Sequence, residues 1–106
     1  MIISTTPSLE GKPIKKYMGV IFGEAISGID FMRDWGASIA NFTGGRVSEY
    51  EEEIVNARAD AIKEMMDRAK KVGANAIVGV KVDTEAIGPN GAMLMVTVSG
   101  TAVVVE

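Results

Sequence analysis

Residues 48 to 72 carry more apolar surface than one β-sheet can cover, and that sets the terms for any fold. Ser48-Glu49-Tyr50-Glu51 reads as a capping box, with Ser48 as N-cap and Glu51 in reach of its backbone. Glu49, Glu51, Glu52 and Glu53 crowd the start, while Arg68, Lys70 and Lys71 occupy the end, matching the helix dipole. Gly73 supplies a left-handed stop. Within these limits Ile54, Val55, Ala57, Ala59, Ala61, Ile62, Met65, Met66, Ala69 and Val72 are apolar. At about 100° per residue they sweep roughly 200°, twice a usual core stripe. The surplus calls for a second burial surface, which in so short a chain means another subunit. The small side chains of Ala57, Ala61 and Ala69 suit close approach by that neighbour, so a charge at Ala61 is expected to split the assembly.

Two charges interrupt the arc. Glu51 and Arg58 stand seven residues apart on one line of the helix, inside the apolar sweep. Buried there, they must pair or hydrogen-bond. A structural ion pair at a subunit interface is the favoured reading, and contact with an anionic ligand through Arg58 is the alternative.

The rest of the chain supplies strands and one more helix. Ile2 to Thr6 is a short strand stopped by Pro7, and Ser8 to Pro13 is a turn. Ile14 to Ile26 returns to β-formers, with Met18, Val20 and Phe22 on one face by alternation. Gly19 and Gly23 mark a bend or a close backbone approach and leave the strand smooth enough for a neighbour. A first helix is expected over Ile29 to Phe42, capped by Ser27, with Phe31, Met32, Trp35, Ile39 and Phe42 as a core stripe. After Ala74-Asn75-Ala76, a strand from Ile77 to Ala86 sets Val78, Val80, Val82 and Thr84 against Lys81, Asp83 and Glu85. Gly88-Pro89-Asn90-Gly91 is a hairpin connection. The return strand alternates Val96, Val98, Ala102 and Val104 with Thr97, Ser99 and Thr101. The expectation is a single α+β domain over residues 1–106: a small antiparallel sheet with two helices on one face.

Composition removes whole classes of chemistry. The 106 residues include neither Cys nor His. Thiolate and imidazole metal sites, Cys nucleophiles and His general bases are therefore excluded. A net charge of −3 offers no basic footprint for nucleic acid or anionic lipid. No window approaches a membrane helix and Met1 to Pro7 lacks a signal pattern, so a cytoplasmic protein is expected.

Two clusters remain as candidate sites. Thr43, Gly44, Gly45 and Arg46 join flexible backbone, a cation and a helix N-terminus, the ingredients of an anion nest. They lack the Lys and the strand context of a P-loop. Asp83 and Glu85 share a strand face and could hold a hard divalent cation weakly, although solvated residues paired with Lys81 are the simpler reading. The seven Met residues suggest thioether ligation of Cu(I), against which ordinary packing explains them better.

Several short motifs carry a family resemblance. Ser4-Thr5-Thr6-Pro7, Gly23-Glu24-Ala25, Gly44-Gly45-Arg46, Tyr50-Glu51 and Ala57-Arg58 are among them. Gly73-Ala74-Asn75-Ala76, Met93-Leu94-Met95-Val96 and Ser99-Gly100-Thr101-Ala102-Val103 complete the set. In this order and spacing the whole chain resembles the YbjQ-like family of small bacterial and archaeal proteins. That resemblance implies a dodecin-like α+β fold assembled as a pentameric ring, and it brings a heavy-metal-binding label without catalytic residues. Two departures stand out: Val47 separates Gly-Gly-Arg from Ser48, and Met18 lies where some members carry Cys. The function expected is a non-enzymatic oligomeric ring that binds a small anionic ligand or acts as a scaffold, without a cofactor beyond a weakly held divalent cation. A metal-binding protein and an enzyme on a small anionic substrate are the alternatives.

Overall fold

The computed structural model describes residues 1–27, 44–88 and 93–106, without the side chains of 44–50. The helix expected over Ile29 to Phe42, Thr43, and the Pro89-Asn90-Gly91 turn lie outside the described residues. Five elements are described: β1 (Ile2–Ile3), β2 (Ile14–Ser27), α1 (Gly44–Lys71), β3 (Ala76–Ile87) and β4 (Met93–Val105). The strands form one sheet in the order β1-β3-β4-β2. β4 pairs antiparallel with both β2 and β3, but β1 runs parallel to β3, so the sheet is mixed and not wholly antiparallel. β1 and β3 are joined through the rest of the fold, and a connection that long permits parallel pairing.

α1 starts at Gly44, one turn before the expected cap at Ser48. Ser48 is therefore inside the helix, and the first turn holds no acid. A cap is worth about 1 kcal/mol, while an established helix adds residues at little cost, so the helix runs past its own capping signal. The other end follows the sequence. Gly73 takes φ 90°, its N–H donates to Lys70 O at 3.0 Å, and Ala74 N–H donates to Ala69 O at 3.0 Å. That is a Schellman termination.

Inserted residues in two strands decide which side chains face the helix. In β2 the register against β4 shifts between Tyr17 and Gly19, where Gly19 has φ 110°. Met18 therefore packs on the helix side with Ile21 and Ala25, whereas Val20 and Phe22 face away. The expected shared face of Met18, Val20 and Phe22 is broken at this bulge. β3 shifts between Val78 and Lys81 around Gly79, φ 61°. Val78 joins a small cluster with Ala76, Val103 and Val105, roofed by Leu9 and Ile14, on the face away from α1. Val80 belongs to the main cluster under the helix, so Val78 and Val80 do not share a face as alternation implied.

The main core lies between α1 and the β2–β4 half of the sheet. Ala57, Ala61, Met65 and Ala69 are buried there against Val96, Val98 and Ala102. Gly23 is the point of closest approach: a Cβ added to it would lie 2.0 Å from Ala61 O. Thus the alanines and Gly23 serve the chain's own helix–sheet contact, not the approach of a neighbour that the sequence suggested. The remainder of the wide arc does stay uncovered, since Val55 and Val72 are exposed.

Asn75 fastens the C-terminal strand. Its Nδ2 donates to Val105 O at 2.9 Å and its Oδ1 accepts from Val105 N–H at 2.8 Å. Replacing it, Asn75→Ala, removes both bonds from a partly buried site and is expected to cost about 1–3 kcal/mol. Urea unfolding measures the loss, and hydrogen exchange should locate it at the end of β4.

The chain is extended for its size. Its radius of gyration is 17.0 Å, where a compact domain of this length has about 13 Å. It exposes 6538 Å², against about 5,700 Å² for a compact monomer of its mass.

Candidate functional site

The most developed polar cluster sits on the open edge of β2. Arg68 Nη1 donates to Glu24 Oε2 at 2.7 Å and to Phe22 O at 2.9 Å. Its Nη2 lies 2.6 Å from Glu64 Oε1, one helical turn away. Glu64 Oε1 in turn accepts the Glu24 N–H at 3.3 Å. The hydrogen bond to Glu24, aided by the fields of Glu24 and Glu64, holds the Arg68 guanidinium pKa above its ordinary value. The helix thereby caps a backbone carbonyl and an N–H that an edge strand would otherwise offer to another chain. The helical Glu64–Arg68 spacing is visible in the sequence; Glu24, forty residues earlier, has no local signal. Because the pair is exposed to solvent, Arg68→Met is expected to shift the urea unfolding midpoint only slightly. Farther along the same strand, Ser27 Oγ donates to Glu53 Oε2 and ties the end of β2 to α1.

The sequence candidates fall in three separate places. Gly44, Gly45 and Arg46 form the first turn of α1, so the glycines belong to a helix N-terminus and not to a loop nest. Their backbone N–H groups are among those that an α-helix leaves without intrahelical partners. Glu51 and Arg58 are both exposed on α1 of the single chain. Asp83 and Glu85 are exposed on the sheet face away from α1, paired in register with Thr97 and Met95. Lys81 Nζ lies 3.6 Å from Asp83 Oδ1, which is the simple pairing expected. The fold brings none of these three clusters together.

Two apolar surfaces are more conspicuous than any polar site. The face of β2 turned away from α1 exposes Val20 (68%), Phe22 (50%) and Ile26 (59%). On the other face of the sheet, α1 lies over β2 and β4 and barely reaches β3. An open groove of 270 Å³ remains there, lined by Ile3, Ser4, Thr5, Ile62, Val80 and Val82. Ser4 and Thr5 belong to a segment held against the β3 bulge, with Val80 N–H donating to Ser4 O at 3.0 Å and Gly79 N–H to Thr6 O at 2.8 Å.

These elements define a small α+β domain in which, among the described residues, α1 covers only part of the sheet. A family model described as "Putative heavy-metal-binding" matches residues 1–106. A UPF0145 protein of Listeria ivanovii is 56% identical over 106 residues, which are 100% of this chain and 96% of that protein. A second from Listeria welshimeri serovar 6b is 55% identical with the same coverage. The chain belongs to the YbjQ-like family, whose UPF0145 members are uncharacterised. A crystal structure of a protein of unknown function from Pediococcus pentosaceus ATCC 25745, placed in the DUF74 family, has a similar fold. It superposes with TM-score 0.68 at 20% identity, over 100% of this chain and 98% of that one. Among the described residues, no helix is long and apolar enough to cross a membrane.

The residues of this chain do not fit a heavy-metal centre built on thiolate or imidazole ligands. It has no thiolate or imidazole to offer, and soft or borderline metals select those ligands. Among the described residues no three Asp or Glu side chains converge.

Proposed function

We propose that this chain is a non-enzymatic cytoplasmic subunit of a ring-shaped homo-oligomer, whose crevices between subunits hold a small anionic ligand or whose surface acts as a scaffold. The observation that carries the reading is the uncovered apolar surface: Val20, Phe22, Ile26 and Val55 are each at least half exposed in one chain. A lone monomer with this much clustered apolar surface invites association. A ring from a rotating head-to-tail contact satisfies it without leaving an open end. Five subunits is the number that the family resemblance implies.

The ligand reading rests on the first turn of α1. Gly44, Gly45 and Arg46 combine backbone donors, the positive end of a 28-residue helix and a cationic residue type. Native mass spectrometry of the purified protein tests both parts. A discrete oligomer that retains a small anion is the expected result, and Arg46→Ala should release the anion while leaving the oligomer intact. A bare monomer would overturn the reading.

Asp83 and Glu85 complete it as no more than a weak site for Ca²⁺ or Mg²⁺. Titration with Zn²⁺ or Ni²⁺ in a calorimeter is expected to give no tight, stoichiometric complex. Such a complex would reinstate the metal-binding alternative.

A further inference from the structure

We infer that Glu64 and Arg68 of α1 guard the open edge of β2 against the addition of a foreign β-strand, and that this, more than stability, is what the pair contributes. The inference concerns the edge of one chain and stands apart from the oligomeric reading above. Among the described residues β2 ends the sheet. At 14 residues it is long for a strand, and Tyr17 to Gly23 is an uncharged run rich in β-forming side chains. Such a segment on an open edge is a template for cross-β pairing. The opposite edge is managed differently. β1 pairs with Ala76 and Ile77, and the carbonyls of Ser4 and Thr6 accept from Val80 and Gly79 N–H. From there on β3 carries its own charges, at Lys81, Asp83 and Glu85.

β2 borrows its protection from the helix. Its register against β4 is unbroken from Gly19 to Ser27, so backbone groups alternate, and Val20, Phe22, Glu24 and Ile26 turn theirs outward. An incoming strand needs these groups in succession. Arg68 Nη1 donates to Phe22 O at 2.9 Å, and Glu64 Oε1 accepts the Glu24 N–H at 3.3 Å, so both central members of the row are occupied. Val20 is left beside the Gly19 bulge and Ile26 beside the end of the strand, and neither stretch is long enough to hold another strand. Gly23 makes the reach possible by letting α1 lie directly on the β2 backbone. Arg68 Nη2, 2.6 Å from Glu64 Oε1, ties the two guards together, and Glu24 adds a third charge at the edge, 2.7 Å from Arg68 Nη1. Side chains as exposed as these add little stability, but they do block two backbone groups.

The test is the double variant Glu64→Ala/Arg68→Met, which removes one charge of each sign and keeps the net charge at −3. Lys63→Met/Asp67→Ala is the matched control. It removes the neighbouring ion pair of α1, which has the same spacing and, among the described residues, no hydrogen bond to β2. Both variants are expected to keep a urea midpoint close to that of the wild type. In the first, the Glu24 amide should exchange at least about tenfold faster, while the amides of Gly23 and Ala25, which turn toward β4, keep their rates. On incubation at micromolar concentration its thioflavin T fluorescence should rise, whereas the wild type and the control stay flat. Adding Val20→Lys, a charge on the exposed edge strand itself, should restore solubility even though it lowers the net charge. A double variant that stays soluble and thioflavin-silent would overturn the inference. Equal aggregation of the control would also overturn it, by placing the effect on the helix surface. So would a urea midpoint that collapses together with solubility, which would make the pair a structural strut.

Discussion

Gly23→Ala should destabilise the fold by more than about 3 kcal/mol, a large share of the roughly 5–15 kcal/mol that a domain has in total. The added Cβ would sit 2.0 Å from Ala61 O, 2.8 Å from Met65 N and 3.0 Å from Met65 Cβ. Two of these three atoms are helix backbone, so no rotamer change relieves the contact. α1 must lift from β2, and the packing of Ala57, Ala61, Met65 and Ala69 loosens with it. Gly11→Ala is the matched control, since Gly11 has φ +78° with nothing within 4 Å of its added Cβ. There only backbone strain remains, about 1–2 kcal/mol. Urea midpoints compare the two, and a Gly23→Ala protein within 1 kcal/mol of wild type, a threshold set from ordinary mutational scatter of about that size, would contradict the close approach.

Ala61→Glu is expected to unfold the protein, not to release folded monomers. The sequence places Ala61 in an arc that two partners could share, which makes it look like an interface position. In the structure it is fully buried beneath its own helix, with its carbonyl against Gly23. An unpaired carboxylate there costs several kcal/mol, about the whole stability of the domain. Phe22→Glu differs because Phe22 is half exposed and faces away from α1. It should keep the far-UV dichroism of the wild type and lose the oligomer. Circular dichroism and sedimentation of the two variants side by side separate core from interface. Folded monomers from Ala61→Glu would return that residue to the interface.

The same contrast shows what the sequence makes legible. Features set by neighbours in the chain could be read: the Gly73 termination, the β3–β4 hairpin pairing and the Lys81–Asp83 contact. The excess apolar arc of α1 was legible too, as exposed Val55 and Val72 demonstrate. Which alanines face inward was not, because the arc is wider than the contact and periodicity cannot choose within it. Strand faces failed at two inserted residues. A period of two loses count at a bulge, so Met18 and Val78 each turn to the face opposite the one alternation assigns. Gly19 and Gly79, both with positive φ, are the only local traces of those bulges. The parallel placement of β1 and the reach of Arg68 to Glu24 depend on residues far apart in sequence, and no spacing rule finds them. Of the candidate sites, the helix N-terminus at Gly44 was legible as a donor-rich segment, but its helical conformation was hidden by the stronger capping signal at Ser48.

Among the described residues α1 covers only half of the sheet, and apolar side chains stay exposed on both of its faces. Multi-angle light scattering of the unmodified protein at micromolar concentration tests most directly the central claim, that other copies cover them. A single species at an integral multiple of 11.2 kDa, five if the family resemblance holds, is the predicted result. A monodisperse 11.2 kDa particle would contradict it.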